Sequence, residues 1–403
     1  MASSPGRRAN NAGTVASYTT TAGRVLWRLA YWVELENGER ARKFKRGFES
    51  EQDAHTALED IRVDMRRGSH VEEIRDKLDD YAGEYLATIR VRPTTLAGYR
   101  KHYRVHVQGS TIGKMPISAI TKDHLNRFYR VLEQSGRKDK GHEGEPLGLA
   151  TVRHVHVLLS QILSHALDDG KIKTNPAKKA SPPRKVDAAP PEMHVWTAQE
   201  TKQFLDWSRE SGDYLYLAWR TLLATGLRRG EILALRWRDI DFSAGTIVVR
   251  RAMQYVKEAG TAPVTTFGPP KNGKPRNVDI DPQLVTELRV RRDGIRSVAP
   301  EHAAADSLVF SNRYGRPHNP VQFSRQWRER VVKAQESLPD LPTIKLHEGR
   351  HTHATTLLSA GVNVRVVSER LGHTSAAVTL TIYAHAIKSL QRAAADMMGD
   401  LFA

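Results

Sequence analysis

At 403 residues the chain exceeds the usual size of one globular domain, so two or three domains with separate cores are expected. Its 62 lysines and arginines against 45 acids give a formal charge of +17 and a pI near 10.0, which favours a polyanionic partner, nucleic acid ahead of a membrane surface. Cysteine is absent, which excludes disulfides, thiol catalysis and cysteine-ligated zinc, and no run of about 18 apolar residues offers a membrane span.

Residues 1–13, MASSPGRRANNAG, are polar and lack the apolar run of a secretion signal, so they read as a disordered leader of a soluble, cytoplasmic protein. From Thr14 to Tyr18, Arg24 to Leu35 and Arg40 to Phe48 the pattern is β-branched and aromatic, with Val25, Trp27, Leu29, Tyr31 and Val33 alternating on one face. A three-stranded antiparallel sheet is expected, followed by a helix from Ser50 to Gly68. The third strand interleaves Arg42, Lys43, Lys45 and Arg46 with Phe44 and Phe48. Such a basic sheet face suits a DNA groove, and a merely solvated strand is the alternative.

Residues 71–180 read as a helical bundle with helices at Val71 to Leu86, Thr94 to Val107, Thr121 to Leu132 and Leu149 to Asp169. The polar insert Ser135 to Glu145 reads as a mobile loop. The run Lys173 to Pro191, with its prolines and basic residues, reads as an extended linker, placed at 181–192 between the bundle and a third domain over 193–403. That domain opens on the capping box Thr197 to Glu200 and continues with helices at Tyr214 to Ala224 and Arg229 to Trp237. A β-rich stretch from Thr246 to Ile280 follows, then a helix with Asp281 as N-cap and Pro282 at its first position. The fold class is α+β and multidomain: a small sheet-plus-helix unit at 14–70, a helical bundle, and a mainly α domain with a small sheet.

Four short motifs lie in order along the third domain. They are Thr225-Gly226-Leu227-Arg228 with Glu231 one helical turn on, His347-Glu348-Gly349-Arg350, Leu371-Gly372-His373, and Tyr383 ten residues beyond His373. Each alone has a dull reading: a structural arginine, a histidine after a glycine cap, one of 12 tyrosines. Their order and spacing together resemble the tyrosine recombinase, or phage integrase, family.

That resemblance implies the recombinase fold and a site-specific DNA recombinase that cuts and rejoins strands through a covalent 3′-phosphotyrosine, integrating a phage or mobile element. It makes Arg228 and Arg350 the grip on the scissile phosphate, His347 and His373 their companions, Glu231 a support and Tyr383 the nucleophile. The family's lysine, on a β-hairpin between the two arginines, is Lys271 or Lys274, with Lys271 preferred at the start of the tight turn. The unit at 14–70 resembles an arm-type DNA-binding domain and 71–180 a core-binding domain, which implies double-stranded DNA with core and arm sites, a homotetramer on DNA, and accessory bending or directionality factors. No metal or other cofactor is called for, and a bacterial cytoplasm near the nucleoid is the implied location.

The chemistry suits those residue types. Negative charge gathers on the non-bridging oxygens of the phosphoryl transition state, where planar, permanently charged guanidiniums donate paired hydrogen bonds. A phenol with a reference pKa near 10 needs an acceptor, and a leaving 5′ oxygen needs a proton, which a lysine ammonium carries. Three rival readings stand beside this one: a type IB topoisomerase, a catalytically dead DNA-binding protein, and a zinc metalloprotease built on His347-Glu348-x-x-His351 with Glu369 as third ligand. At the C-terminus Ile387, Leu390, Ala394, Met397 and Leu401 form a helical stripe expected to dock on a neighbouring protomer.

Overall fold

The computed structural model describes residues 13–34, 38–66, 76–189, 193–373, 375–382 and 390–402. The chain divides into two compact units, one of residues 1–89 and 102–188, the other of residues 90–101 and 189–403.

In the first unit, strands β1 (Thr14–Thr19), β2 (Val25–Glu34) and β3 (Arg40–Phe48) form an antiparallel sheet in that order. Helix α1 (Glu51–Arg66) covers one face and buries Ala54 and Leu58 where Leu29 of β2 is fully buried. Register then sorts the basic residues of β3. Lys43 and Lys45 stand opposite Tyr31 and Leu29, on the face that α1 covers. Arg42, Phe44 and Arg46 stand opposite Trp32, Ala30 and Arg28, on the open one. Trp32 and Phe44 remain exposed there, and Arg42 lies over the Phe44 ring at 5.3 Å. The two-residue period of a strand thus divides the four interleaved cations between the two faces.

The bundle contains α2 (Leu78–Thr88), α4 (Lys122–Ser135) and α5 (Leu149–Asp168); α3 (Pro93–His102) runs on through one π-helical stretch to Val107. Helix α2 starts at Leu78, and the expected helix does not run unbroken through Lys77, which is extended and bridged to Pro116. Residues 71–75 lie outside the described residues. In the insert after α4, Arg137 pairs with Asp139 and Glu145 at 2.6 and 2.7 Å while its N–H donates to the Glu145 carbonyl. One other expectation changes. The start of the linker is packed, since buried Asn175 donates to the Ser160 carbonyl and the Ser164 hydroxyl and Ala177 is buried beside it.

The second unit is built on α6 (Ala198–Glu210), α7 (Tyr216–Thr225), the short α8 (Arg229–Ile232), α9 (Pro282–Val298), α10 (Pro320–Gln335), α11 (Leu346–Ser359), α12 (Val364–Leu371), α13 (Ala376–Ile382) and α14 (Leu390–Phe402). Its core holds four fully buried tryptophans, 196, 219, 237 and 327. Each indole N–H is satisfied, by Pro342, Asp213, His302 and Ile344 respectively. The expected helix from Arg229 to Trp237 stops at Ile232, and a 3-10 turn carries Trp237 into the core. The β-rich stretch forms two sheets rather than one. Strands β4 (Ile240–Asp241), β5 (Thr246–Val249) and β8 (Arg276–Asp279) pair in that order, and β6 (Ala252–Val256) pairs with β7 (Val264–Gly268).

No helix among the described residues is long and apolar enough to cross a membrane.

Candidate active site

Helix α7 ends on Gly226, whose φ of +64° sits in the left-handed region. A Cβ there would lie 2.7 Å from the His353 ring and 2.8 Å from Leu371, so only glycine lets the chain turn this close to α11 and α12. The turn delivers Arg228 to the start of α8. One turn later the buried Glu231 accepts the Arg228 backbone N–H at 2.9 Å and its Nη1 at 3.0 Å. Arg228 Nη2 also donates to the Gly372 carbonyl at 3.3 Å.

Helix α11 brings the second arginine. Gly349 lets it close on α7, because a Cβ at that position would stand 3.0 Å from Leu222 and 3.3 Å from Leu223. Glu348 accepts the Lys345 N–H at 2.5 Å and caps the helix. Arg350, 2% exposed, donates to the Gly226 carbonyl and to the Leu371 carbonyl, each at 2.6 Å. One guanidinium thus ties the Thr-Gly-Leu segment to the Leu-Gly-His segment, and separate sequence motifs become one site.

Helix α12 ends on Gly372, φ +65°, and the next residue is His373. Its Nδ1 meets the hydroxyl of the buried Thr379 at 2.8 Å, which fixes the start of the chain leading to residue 383. Burial, then Arg350, Arg228, His351 and Arg276, push the His373 imidazole down to about 4. Partial withdrawal from water, then Arg350, Arg228 and Lys271, hold His347 below the ordinary imidazole value, with Glu348 acting the other way. Burial and the neighbouring cations together thus keep both imidazoles neutral at pH 7.

Lys271 lies in the tight turn that Gly273 closes by donating to the Pro270 carbonyl at 2.8 Å. The turn joins β7 to β8, which belong to different sheets, so it is not the tip of a hairpin as the family resemblance implied. Lys271 lines a cavity of about 370 Å³ together with Arg228, Glu231 and Met253, and its charge is felt at His347. Lys274 is also exposed in this turn. Tyr383 lies outside the described residues; α13 is described as far as Ile382. Motif reading missed Arg276, which clamps Glu231 at 3.0 and 2.7 Å, and Thr379; neither stands at a position that spacing alone marks.

The His-Glu-x-x-His run does lie on a helix, with the rings of His347 and His351 edge to face at 5.1 Å. Glu348 is turned back as a cap, however, and Glu369 pairs with Arg365 at 3.2 Å on its own helix. Among the described residues no group of three or more His, Cys, Asp or Glu side chains could hold a metal ion.

The buried histidines set an acid limit on stability. His351 and His353 are also pushed down to about 4, chiefly by burial. The unfolded chain binds protons at these positions near the ordinary imidazole value of about 6.5, whereas the folded chain resists them. Their contribution is therefore complete above that value and is lost as pH falls from about 6.5 towards 4. Thermal melts should show a midpoint that is steady from neutral pH down to about 6.5 and then falls; a midpoint unchanged down to pH 5 would contradict this.

Comparison with known proteins agrees with this architecture. Residues 194–389 match the phage integrase family and residues 16–65 match an arm DNA-binding domain. The tyrosine recombinase XerC-like protein of Caldanaerobacter subterraneus is 28% identical over 390 residues, covering 91% of this chain and 94% of that one. The ICEBs1 integrase of Bacillus subtilis is 27% identical over 291 residues, covering 72% and 73%. Among solved structures, the Tn1549 transposon integrase in complex with transposon right end DNA gives a TM-score of 0.65 at 21% identity, covering 80% of this chain and 100% of that one. A lambda integrase dimer bound to a COC′ core site gives 0.51 at 16% identity, covering 91% and 94%. The chain belongs to the phage integrase family of tyrosine recombinases, enzymes that break and rejoin DNA, and carries an arm DNA-binding domain near its N-terminus.

Proposed function

We propose that this recombinase integrates a phage or mobile element by using Tyr383 as nucleophile, with Arg228 and Arg350 on the scissile phosphate. The observation that carries this reading is that Arg228 and Arg350 act electrostatically on both His347 and His373, with Lys271 felt at His347 and lining one cavity with Arg228. The Tyr383 hydroxyl attacks phosphorus and gives its proton to His347. The bond to the 5′ oxygen breaks, and Lys271 protonates that oxygen as it leaves. His373 donates a hydrogen bond to the phosphate. The free 5′-hydroxyl of the partner strand then attacks the phosphotyrosine and returns the phenol, so bond energy is conserved. The two guanidiniums carry the charge that a divalent cation would otherwise meet. Cleavage of a duplex made from a sequenced integration junction should therefore proceed at an unchanged rate in excess EDTA; a loss of adduct on chelation would overturn the reading.

The assignment of modules follows the same reading: 14–70 to arm sites, 71–180 to the core site, 181–192 as linker and 193–403 to catalysis. Four protomers assemble on two core sites in the bacterial cytoplasm, and accessory bending or directionality factors set the direction. Support for assembly through α14 comes from its exposed Met397, Met398, Leu401 and Phe402, which leave an apolar stripe for a neighbour to cover.

On the arm unit, the open sheet face with Arg28, Arg42 and Arg46 beside Trp32 and Phe44 is the surface proposed to meet DNA. Each phosphate neutralised adds about 0.9 to the slope of log K against log salt. The double variant Arg42→Ala/Arg46→Ala should flatten that slope by roughly two units on arm-site DNA, while Lys43→Ala/Lys45→Ala should change it by less than about one. Equal losses from both pairs would place DNA elsewhere on the sheet.

A further inference from the structure

Arg276, the first residue of β8, is held at three points. Its Nη1 and Nη2 donate to the two oxygens of Glu231 at 3.0 and 2.7 Å, and its Nε donates to the Arg370 carbonyl at 2.7 Å. Its side chain is 9% exposed, and that of Glu231 is fully buried. The guanidinium also packs on Gly372, where a Cβ would lie 3.0 Å from Arg276 Cδ and 3.1 Å from Nη1. The three segments that meet at this one side chain are the α8 start with Arg228, the strand that follows the Lys271 turn, and the α12 end that presents His373.

Charge makes the arrangement more than a brace. Glu231 is one buried carboxylate shared by Arg228 and Arg276. Burial would raise its pKa, but the Arg276 hydrogen bonds and charge, with the Arg228 N–H and charge, bring it below the ordinary value, so it is ionised at neutral pH. One negative charge against two positive charges leaves one positive charge over. A bidentate pair with Arg276 matches the planar fork of the guanidinium to both oxygens. Arg228 is then oriented by Glu231 without being neutralised by it.

We propose that Arg276 is a positioning residue for strand cleavage, one that satisfies the charge of Glu231 so that the positive charge of Arg228 is presented to the scissile phosphate. The proposal rests on the reading of Arg228 as a phosphate-gripping residue. Without Arg276 the carboxylate has Arg228 as its remaining ion-pair partner, and the catalytic guanidinium is drawn into that pair.

The test is a double-variant cycle in the full-length protein, read as single-turnover formation of covalent adduct on a nicked duplex made from a sequenced integration junction, with affinity measured alongside. Arg276→Gln should slow adduct formation by roughly 10²-fold with affinity changed less than about threefold. Arg276→Lys, which keeps the charge but not the fork, should recover about tenfold of that loss. Adding Glu231→Gln to Arg276→Gln removes the charge that captures Arg228, so the double variant should be faster than Arg276→Gln alone. A double variant as slow as, or slower than, Arg276→Gln overturns the proposal. Should Arg276→Gln fail to fold, Arg276→Lys and Arg276→Lys/Glu231→Gln are compared instead: the pair should differ by less than about threefold, and a further tenfold loss on adding Glu231→Gln would overturn the proposal. Arg228→Ala is the control that separates the two readings. If it cleaves as the wild type does, the role of Arg228 fails and takes the proposal with it; if it is inactive, the cycle judges Arg276 alone.

Discussion

Arg350→Ala is expected to lower strand cleavage by roughly 10²- to 10³-fold, the loss typical of removing one preorganised donor from a charge-developing transition state. It should also destabilise the second unit. Arg350 is almost wholly buried and bonds the Gly226 and Leu371 carbonyls at 2.6 Å each. Truncation leaves both acceptors buried, at a cost of about 1–3 kcal/mol apiece. The same change loosens Gly226, which precedes Arg228 by two residues, and Leu371, which precedes His373 by two. Arg350→Lys should rescue neither property fully, since a single ammonium cannot span both carbonyls and a phosphate. Single-turnover cleavage and thermal melting on the same preparations check this. A variant that cleaves within about threefold of wild type would remove Arg350 from the proposed machinery.

The second large effect is at the nucleophile. Tyr383→Phe deletes one oxygen and should reduce covalent DNA adduct to background. Affinity for core-site DNA should stay within about threefold, because backbone contacts elsewhere supply most of the binding. On the proposed reading the phenol is assisted rather than intrinsically reactive: with a reference pKa near 10 it would rely on His347 to take its proton and on the arginines to favour phenolate character. His347→Ala should therefore slow adduct formation by roughly 10²- to 10⁴-fold at neutral pH and recover in part at high pH, where the phenol ionises without help.

Much of the local structure that carries the candidate site was legible before any coordinate. Short-range rules carried over well: Asp281 caps α9 ahead of Pro282, and Thr197 and Glu200 form the expected capping box. The β2 alternation found the buried Leu29, because a two-residue period reports which face is covered. It did not say where Arg42 and Lys43 point, since that depends on β3's register against β2. Long-range pairings were illegible for the same reason. Arg276 meets Glu231 across 45 residues and Arg350 meets Gly226 across 124, and no local pattern encodes either contact. The Lys271 turn differed in another way: the family resemblance put this lysine on a hairpin, yet β7 and β8 take partners in separate sheets. The motif reading assigned Glu348 and Gly349 no part in the site, yet Glu348 caps α11 and Gly349 lets it approach Leu222.

Cleavage is expected to leave DNA joined to Tyr383, and peptide mapping of the trapped adduct reads that bond. Full-length protein is reacted with a nicked junction duplex, digested with nuclease and protease, and sequenced by mass spectrometry. The expected product is a nucleotide-modified peptide with the phosphate on the Tyr383 oxygen, with no such peptide from Tyr383→Phe. A modified residue at any other position, or an adduct that survives Tyr383→Phe, would contradict it.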